Sequence, residues 1–289
     1  MEIIVIDYGK EKILDKLNLD RSLRLNKDTL SALRKLYNIE ISKKVNVRNL
    51  KKLYIGIGSK IKRDVTLDGN ILIGNDVKIN KKTSILSSVS ILDKSEIGKD
   101  VVIGFNTYIG EENYIDDAVI IKSNVNINKD NKIGESVIIG NRVLIGKSNE
   151  IGEGSVIFDN VKINNYNYLH PFVRVGRGSL IGDYNAIEME VSICNKMMIL
   201  FENTVAVDLP KELSGNIVLH KSNIVEDIKQ FFNEDGSAKK AEYISNKELS
   251  EYGKLDIIKP MDRFKEKEFD TPPLPGLEDS GESNQMLIE

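Results

Sequence analysis

The chain has no tryptophan, one cysteine, two histidines and six prolines in 289 residues, and aromatic side chains make up 6% of it. Each scarcity excludes something. With Cys194 alone, no intrachain disulfide and no cysteine-rich metal site can form. His170 and His220 cannot supply a three-histidine zinc centre within one chain. No apolar run approaches the roughly 18 residues of a transmembrane helix, so no membrane span is expected. The opening MEIIVIDYGKEKI lacks a basic stretch followed by an apolar one, so it does not read as a signal peptide. A cytoplasmic protein is the expectation. Neither charge sign dominates: 41 Lys and Arg are interspersed with 44 Asp and Glu, for a net charge of −3. That balance argues against nucleic acid as a partner.

What the chain has in abundance is periodicity. Counting in sixes from Ile55, an aliphatic residue leads every hexad as far as Val205, through 26 hexads without insertion or deletion. Neither a helical period of about 3.6 nor a strand period of 2 accounts for this; a fixed longer period means stacked repeats. The second position is glycine in 11 of the 26 hexads, among them Gly56, Gly98, Gly152 and Gly176. The fifth position is small or β-branched, as at Ser59, Val65, Val77, Thr83 and Val101. Lead and preceding fifth position lie two residues apart, so on a short strand both face inward. The third and fourth positions carry turn residues such as Asn75-Asp76 and Gly69-Asn70.

Three strand-corner units make one triangular coil of about 18 residues, and an 18-residue period is separately visible. Asn113, Asn131, Asn149, Asn167, Asn185 and Asn203 all occupy the inward fifth position of one strand. The matching columns on the other two strands are mainly aliphatic, as at Val101, Val119 and Val137 or Val125, Val143 and Val161. The asparagines read as a ladder in which each amide bonds the next, which pairs otherwise costly buried polar groups.

On its lead, glycine and small-residue positions, the segment of roughly residues 53–210 resembles the hexapeptide-repeat family. The resemblance implies an all-β solenoid, a left-handed parallel β-helix of close to nine triangular coils. Left-handedness follows from the resemblance only, since parallel crossovers are ordinarily right-handed. Around the solenoid, residues 1–52 read as a small α/β capping segment. MEIIVIDYG is its strand, and a helix capped near Asn26 runs to Tyr37 with Leu30, Leu33 and Leu36 on one face. Residues 211–258 read as a helical segment, with Ile224, Val225, Ile228, Phe231 and Phe232 as an apolar stripe capped by Ser222-Asn223. Residues 259–289 are polar and proline-punctuated and read as a disordered tail, a candidate docking segment for a protein partner.

Outward strand positions differ between the three flanks. One carries Val102, Ile120, Ile138 and Val156 with Phe158 beside them; a second carries Leu72, Tyr108, Leu144, Leu180 and Met198. The third is charged, with Lys78, Glu96, Lys132 and Glu150. Exposed apolar stripes of this length usually meet something. One is expected to pack in a homotrimer, the habitual assembly of the family, and the other against the C-terminal helix or a neighbour.

The resemblance also implies chemistry. The family is best known for acyltransferases that take an acyl group from acetyl-CoA or another acyl-CoA to a sugar or amine, with histidine as general base. His170, in Tyr168-Leu169-His170-Pro171-Phe172, is the histidine within the repeats, with Tyr168, Arg174 and Arg177 as candidate substrate-binding groups. Two readings stay open. One is an acyl-CoA-dependent acyltransferase using His170. The other is a non-catalytic scaffold or assembly subunit that holds protein partners through its apolar flanks and tail. The unbroken repeat favours the second, because relatives commonly build their sites with a loop extruded from the prism.

Overall fold

A computed structural model describes residues 2–7, 12–18, 27–49, 52–209, 218–221, 224–235 and 237. The expected disordered tail, 259–289, lies outside the described residues. Each hexad folds as a strand of two to five residues, most often two, followed by a corner, and consecutive strands belong to three different parallel sheets. The result is a left-handed parallel β-helix. Every lead from Ile55 to Val205 points inward, and none is more than 3% exposed.

The three faces differ in what they present. Among the described residues the charged face has 11 strands, from Glu40–Ile41 through Tyr168–Leu169 to Ile224–Val225, and the counts for the other two faces are of the same residues. The apolar face has nine, from Asn46–Arg48 through Ile120–Ile121 to Ser192–Ile193. The long face has 12, and ten of these run from Lys52–Gly56 to Val218–Lys221. Its edge is extended by Glu2–Asp7, parallel to Lys52–Gly56, and then by the antiparallel strand Lys12–Asn18. Pairing covers an edge that would otherwise invite aggregation.

The prism extends beyond the regular hexads at both ends. Ile41 pairs with Ile61 and Val47 with Leu67, 20 residues apart, because the spacing from Val47 to Ile55 is eight rather than six. At the other end Ile199 pairs with Leu219 and Val205 with Val225. These strands occupy part of the segment expected to be helical; among the described residues one 3-10 turn, Ile228–Phe231, follows. The reason is visible in the packing: Leu219 and Val225 are buried as two more leads, and Phe231 and Phe232 pack against the same core. Helix α1, Lys27–Tyr37, forms where expected, with Asp28 in its first turn and Arg34 and Lys35 in its last to complement the helix dipole. Leu33 is fully buried and Leu30 packs on the core, but Leu36 is 67% exposed, so the helix is anchored by two leucines rather than three.

Stacking explains the other hexad positions. A Cβ on Gly176 would stand 2.4 Å from the backbone of Cys194 on the next coil, so the second position is small because the next corner rests on it. The fourth position is left-handed at most corners, even at Lys82, Ala118 and Tyr184. Serines and threonines at the fifth position donate to a carbonyl 15 residues ahead, as Ser95 Oγ does to Gly110 at 2.8 Å.

The asparagine column is a continuous ladder. Each Oδ1 accepts from both the backbone N–H and the Nδ2 of the asparagine 18 residues on, at 2.9–3.0 Å in the four steps from Asn131 to Asn203. Asn149 Nδ2 also donates to the Asn164 carbonyl at 2.7 Å. Replacing Asn149 with alanine removes the acceptor of the Asn167 backbone N–H and the side-chain donor to the Asn164 carbonyl, while Asn167 Nδ2 keeps the Gly182 carbonyl. We expect Asn149→Ala to lower the unfolding free energy by about 2–3 kcal/mol, read from urea unfolding; a change below about 0.5 kcal/mol would show that the ladder contributes little.

Candidate functional site

His170 stands on the corner between the charged and apolar faces. The corner closes over Gly152, where a Cβ would meet the Pro171 nitrogen at 2.4 Å and the His170 carbonyl carbon at 2.6 Å. The His170 N–H donates to Ile187 O at 2.9 Å and its carbonyl accepts from Ser155 Oγ at 3.3 Å, so the backbone is fixed from both neighbouring coils. Phe172 completes the corner at φ 63°, its ring lying over Gly154.

The imidazole has two neighbours. Tyr168, two residues back on the charged face, meets it edge to face with ring centroids 4.3 Å apart. Glu188 Oε2 lies 3.6 Å from His170 Nε2, close enough for ion pairing but longer than a hydrogen bond. Glu188 follows His170 by 18 residues, so the coil period itself brings the two together. The sequence reading missed this partner, although applying the period to His170 would have found it. The imidazole side chain is 29% exposed and reachable.

Of the other sequence-predicted site residues, Tyr168 shares this corner and Arg174 and Arg177 do not. Arg174 is exposed on the apolar face, between Val156 and Ser192 in the ladder. Arg177 lies on the following corner, where Nη2 is 3.3 Å from Asp159 Oδ2. Cys194 is half-buried against the core. His220 lies in the strand Val218–Lys221.

Two surfaces adjoin the His170 corner. On the charged face an open groove of about 340 Å³ ends at Tyr168 and Pro171. Asp116, Glu135, Glu150 and Glu153 line it against a single Lys132. The Asp116 charge, with burial and Glu96 behind it, pushes the Tyr114 phenol in this groove above its ordinary range. On the other side lies the apolar face, which carries Arg174 beside the corner; Ile120 and Val102, three and four coils back, are 39% and 38% exposed, and Phe158 and Phe172 on its two borders are similarly open. The second apolar stripe is divided: Leu72 and Tyr108 are buried within the single chain with Leu92 and Tyr54, while Leu144, Leu180 and Met198 are half-buried. Among the described residues no cluster of three or more His, Cys, Asp or Glu could hold a metal ion, and no helix is long and apolar enough to cross a membrane.

Repeat and geometry define the class: a hexapeptide-repeat left-handed β-helix. No family model matches the chain, and no curated protein matches it. Several solved structures are similar. A UDP-N-acetylglucosamine acyltransferase from Arabidopsis is 14% identical over 60% of this chain and 68% of its own, with a TM-score of 0.42. A UDP-N-acetylglucosamine O-acyltransferase from Moraxella catarrhalis is 18% identical over 59% and 67%, with a TM-score of 0.32. An N-acyltransferase from Bacillus cereus, solved with dTDP and coenzyme A, is 17% identical over 57% and 84%, with a TM-score of 0.28.

The Asp159 carboxylate beside this region is held below the ordinary aspartate range. The N–H of Asn141 donating to it is the main cause, and Arg177 assists against the opposing effect of burial. A lowered folded value stabilises the fold above the unfolded value near 3.8, and the contribution is lost as pH falls through the folded value. Asp159→Asn should therefore lower the melting temperature at pH 7 and change it much less at pH 2.5. An equal loss at both pH values would remove the charge from the account.

Proposed function

We propose that the protein is an acyltransferase in which His170 acts as general base, at a cleft formed where copies of the chain meet through the apolar face as a homotrimer. The observation that carries this reading is the position of the His170–Glu188 pair: on a reachable corner, between an acidic groove and an exposed apolar face. The sequence resemblance to a family of acyltransferases supports the same reading.

The chemistry follows from the geometry. Glu188 stands on the Nε2 side of the ring, which leaves Nδ1 as the nitrogen to take a proton from the acceptor. An acceptor held beside the imidazole attacks the thioester carbonyl of an acyl-CoA; His170 takes the acceptor's proton, the carbon–sulfur bond breaks, and the proton passes to the departing thiolate. Glu188 stabilises the imidazolium between these steps. Four carboxylates in the groove disfavour the phosphates of coenzyme A there and draw in an amine as its ammonium, which gives one proton to solvent before the neutral amine attacks, so we assign the groove to an amine. Arg174 and Arg177, on the far side of the corner, suit the phosphates of the donor.

The unbroken prism favours a second reading, a non-catalytic scaffold holding protein partners on the apolar face. One assay separates the two: release of coenzyme A from acetyl-CoA over a panel of primary amines, with thermal unfolding followed in parallel. On the enzyme reading, acetyl-CoA raises the melting temperature and an amine supports turnover. His170→Ala then reduces turnover by about 10²–10⁴-fold while the thermal shift remains. Absence of both turnover and thermal shift, with the protein folded, would establish the scaffold instead.

A further inference from the structure

Charge is arranged differently at the N-terminal end of the prism. Further along the prism several charged side chains one coil apart pair with the opposite sign, while Glu135 and Glu153 stack like on like in the acidic groove. Lys78 and Glu96 lie 3.3 Å apart, Lys94 and Glu112 3.1 Å, and Lys99 and Asp117 2.8 Å. Like charges stacked directly opposite are destabilising, so this is the expected pattern. On the corner after Glu40–Ile41, Lys60–Ile61 and Lys78–Ile79, the chain instead places Lys43, then Lys62 and Arg63, then Lys81 on three successive coils.

Helix α1 adds to the same concentration. Lys27 and Arg34 are seven residues apart and so share a helix face. That face and the three corners line a groove of about 560 Å³, within the range of small-ligand sites. Its floor is apolar, made by Leu30, Ile39, Ile41 and Ile61, and its rim is cationic. Seven cationic side chains meet one carboxylate, Glu40, which is already held by Lys60 at 3.3 Å. Arg63 is 3.7 Å from its neighbour Asp64. Among the described residues, Lys27, Arg34, Lys43, Lys62 and Lys81 make no ion pair. The chain as a whole carries a net charge of −3, so the groove is a local excess and not a general basicity.

We propose that this groove binds an organic phosphate of more than one negative charge, with its apolar part on the isoleucine floor and its phosphates between α1 and the lysine corner. Lysine and arginine groups converging from two elements supply charge-assisted hydrogen bonds to phosphate oxygens, and the bound charge relieves the repulsion among them. The site is separate from His170. Ile61 and Leu169 head the same column six coils apart, a distance of about 29 Å at 4.8 Å per coil. The inference does not rest on the acyltransferase reading.

The experiment uses the full chain and titrates pyrophosphate, a fluorescent adenosine diphosphate, and vesicles with and without phosphatidic acid. Expected is saturable one-to-one binding that weakens with salt, and about tenfold weaker binding for each of Arg34→Glu and Lys62→Glu. Both substitutions fall on exposed side chains. Binding of the soluble phosphates identifies a free ligand; binding of phosphatidic acid vesicles alone identifies a lipid headgroup, and either supports the site. No binding to any of the three, or binding unchanged in both folded variants, overturns it.

Discussion

In the body of the prism residue i rests on residue i + 18, one coil and about 4.8 Å away, and that stacking governs what each position can hold. Identical groups must tolerate their own kind at this distance or be replaced by complementary ones. Asparagine does so by donating and accepting at once, which is why Asn131 to Asn203 form one chain of bonds. Tyr166 lies flat on Tyr184, with ring centroids 4.8 Å apart and planes 9° from parallel. Lysines meet carboxylates, as at Lys99 and Asp117. Where the next corner descends closely, as over Gly152, no side chain fits at all.

The same constraint shapes how a site can arise on such a molecule. Leads and fifth positions are committed to the interior, so chemistry is left to outward strand positions and corners. Partners are then found along a column and not along the chain, as Glu188 is for His170. A corner also joins two faces of different character, which sets an acidic groove and an apolar surface on either side of one histidine. At the first coils the column rule is suspended, and unpaired cations gather beside α1.

Much of the fold was legible because the hexad is a local rule repeated many times. Inward leads, the asparagine ladder and the three contrasting flanks all follow from counting in sixes and eighteens. The ends were less legible because the count changes there. Eight residues from Val47 to Ile55 hide the first coil, and 20-residue steps to Leu219 and Val225 hide the last strands inside a segment with a helical-looking stripe. Leu36 fits the same helical pattern as Leu30 and Leu33, yet it faces solvent, and in the last turn Tyr37 packs on the core instead. For the site, His170 and Tyr168 could be placed on one corner from sequence. Arg174 and Arg177 are close to His170 in the chain but belong to other flanks, since a corner intervenes within six residues.

In the proposed trimer, copies of this chain meet through the exposed apolar face, with His170 at the rim of the contact. Sedimentation equilibrium of the full chain at micromolar concentration decides whether they do. A particle of three times the 32.5 kDa chain mass is expected. A single 32.5 kDa species at that concentration would rule the trimer out.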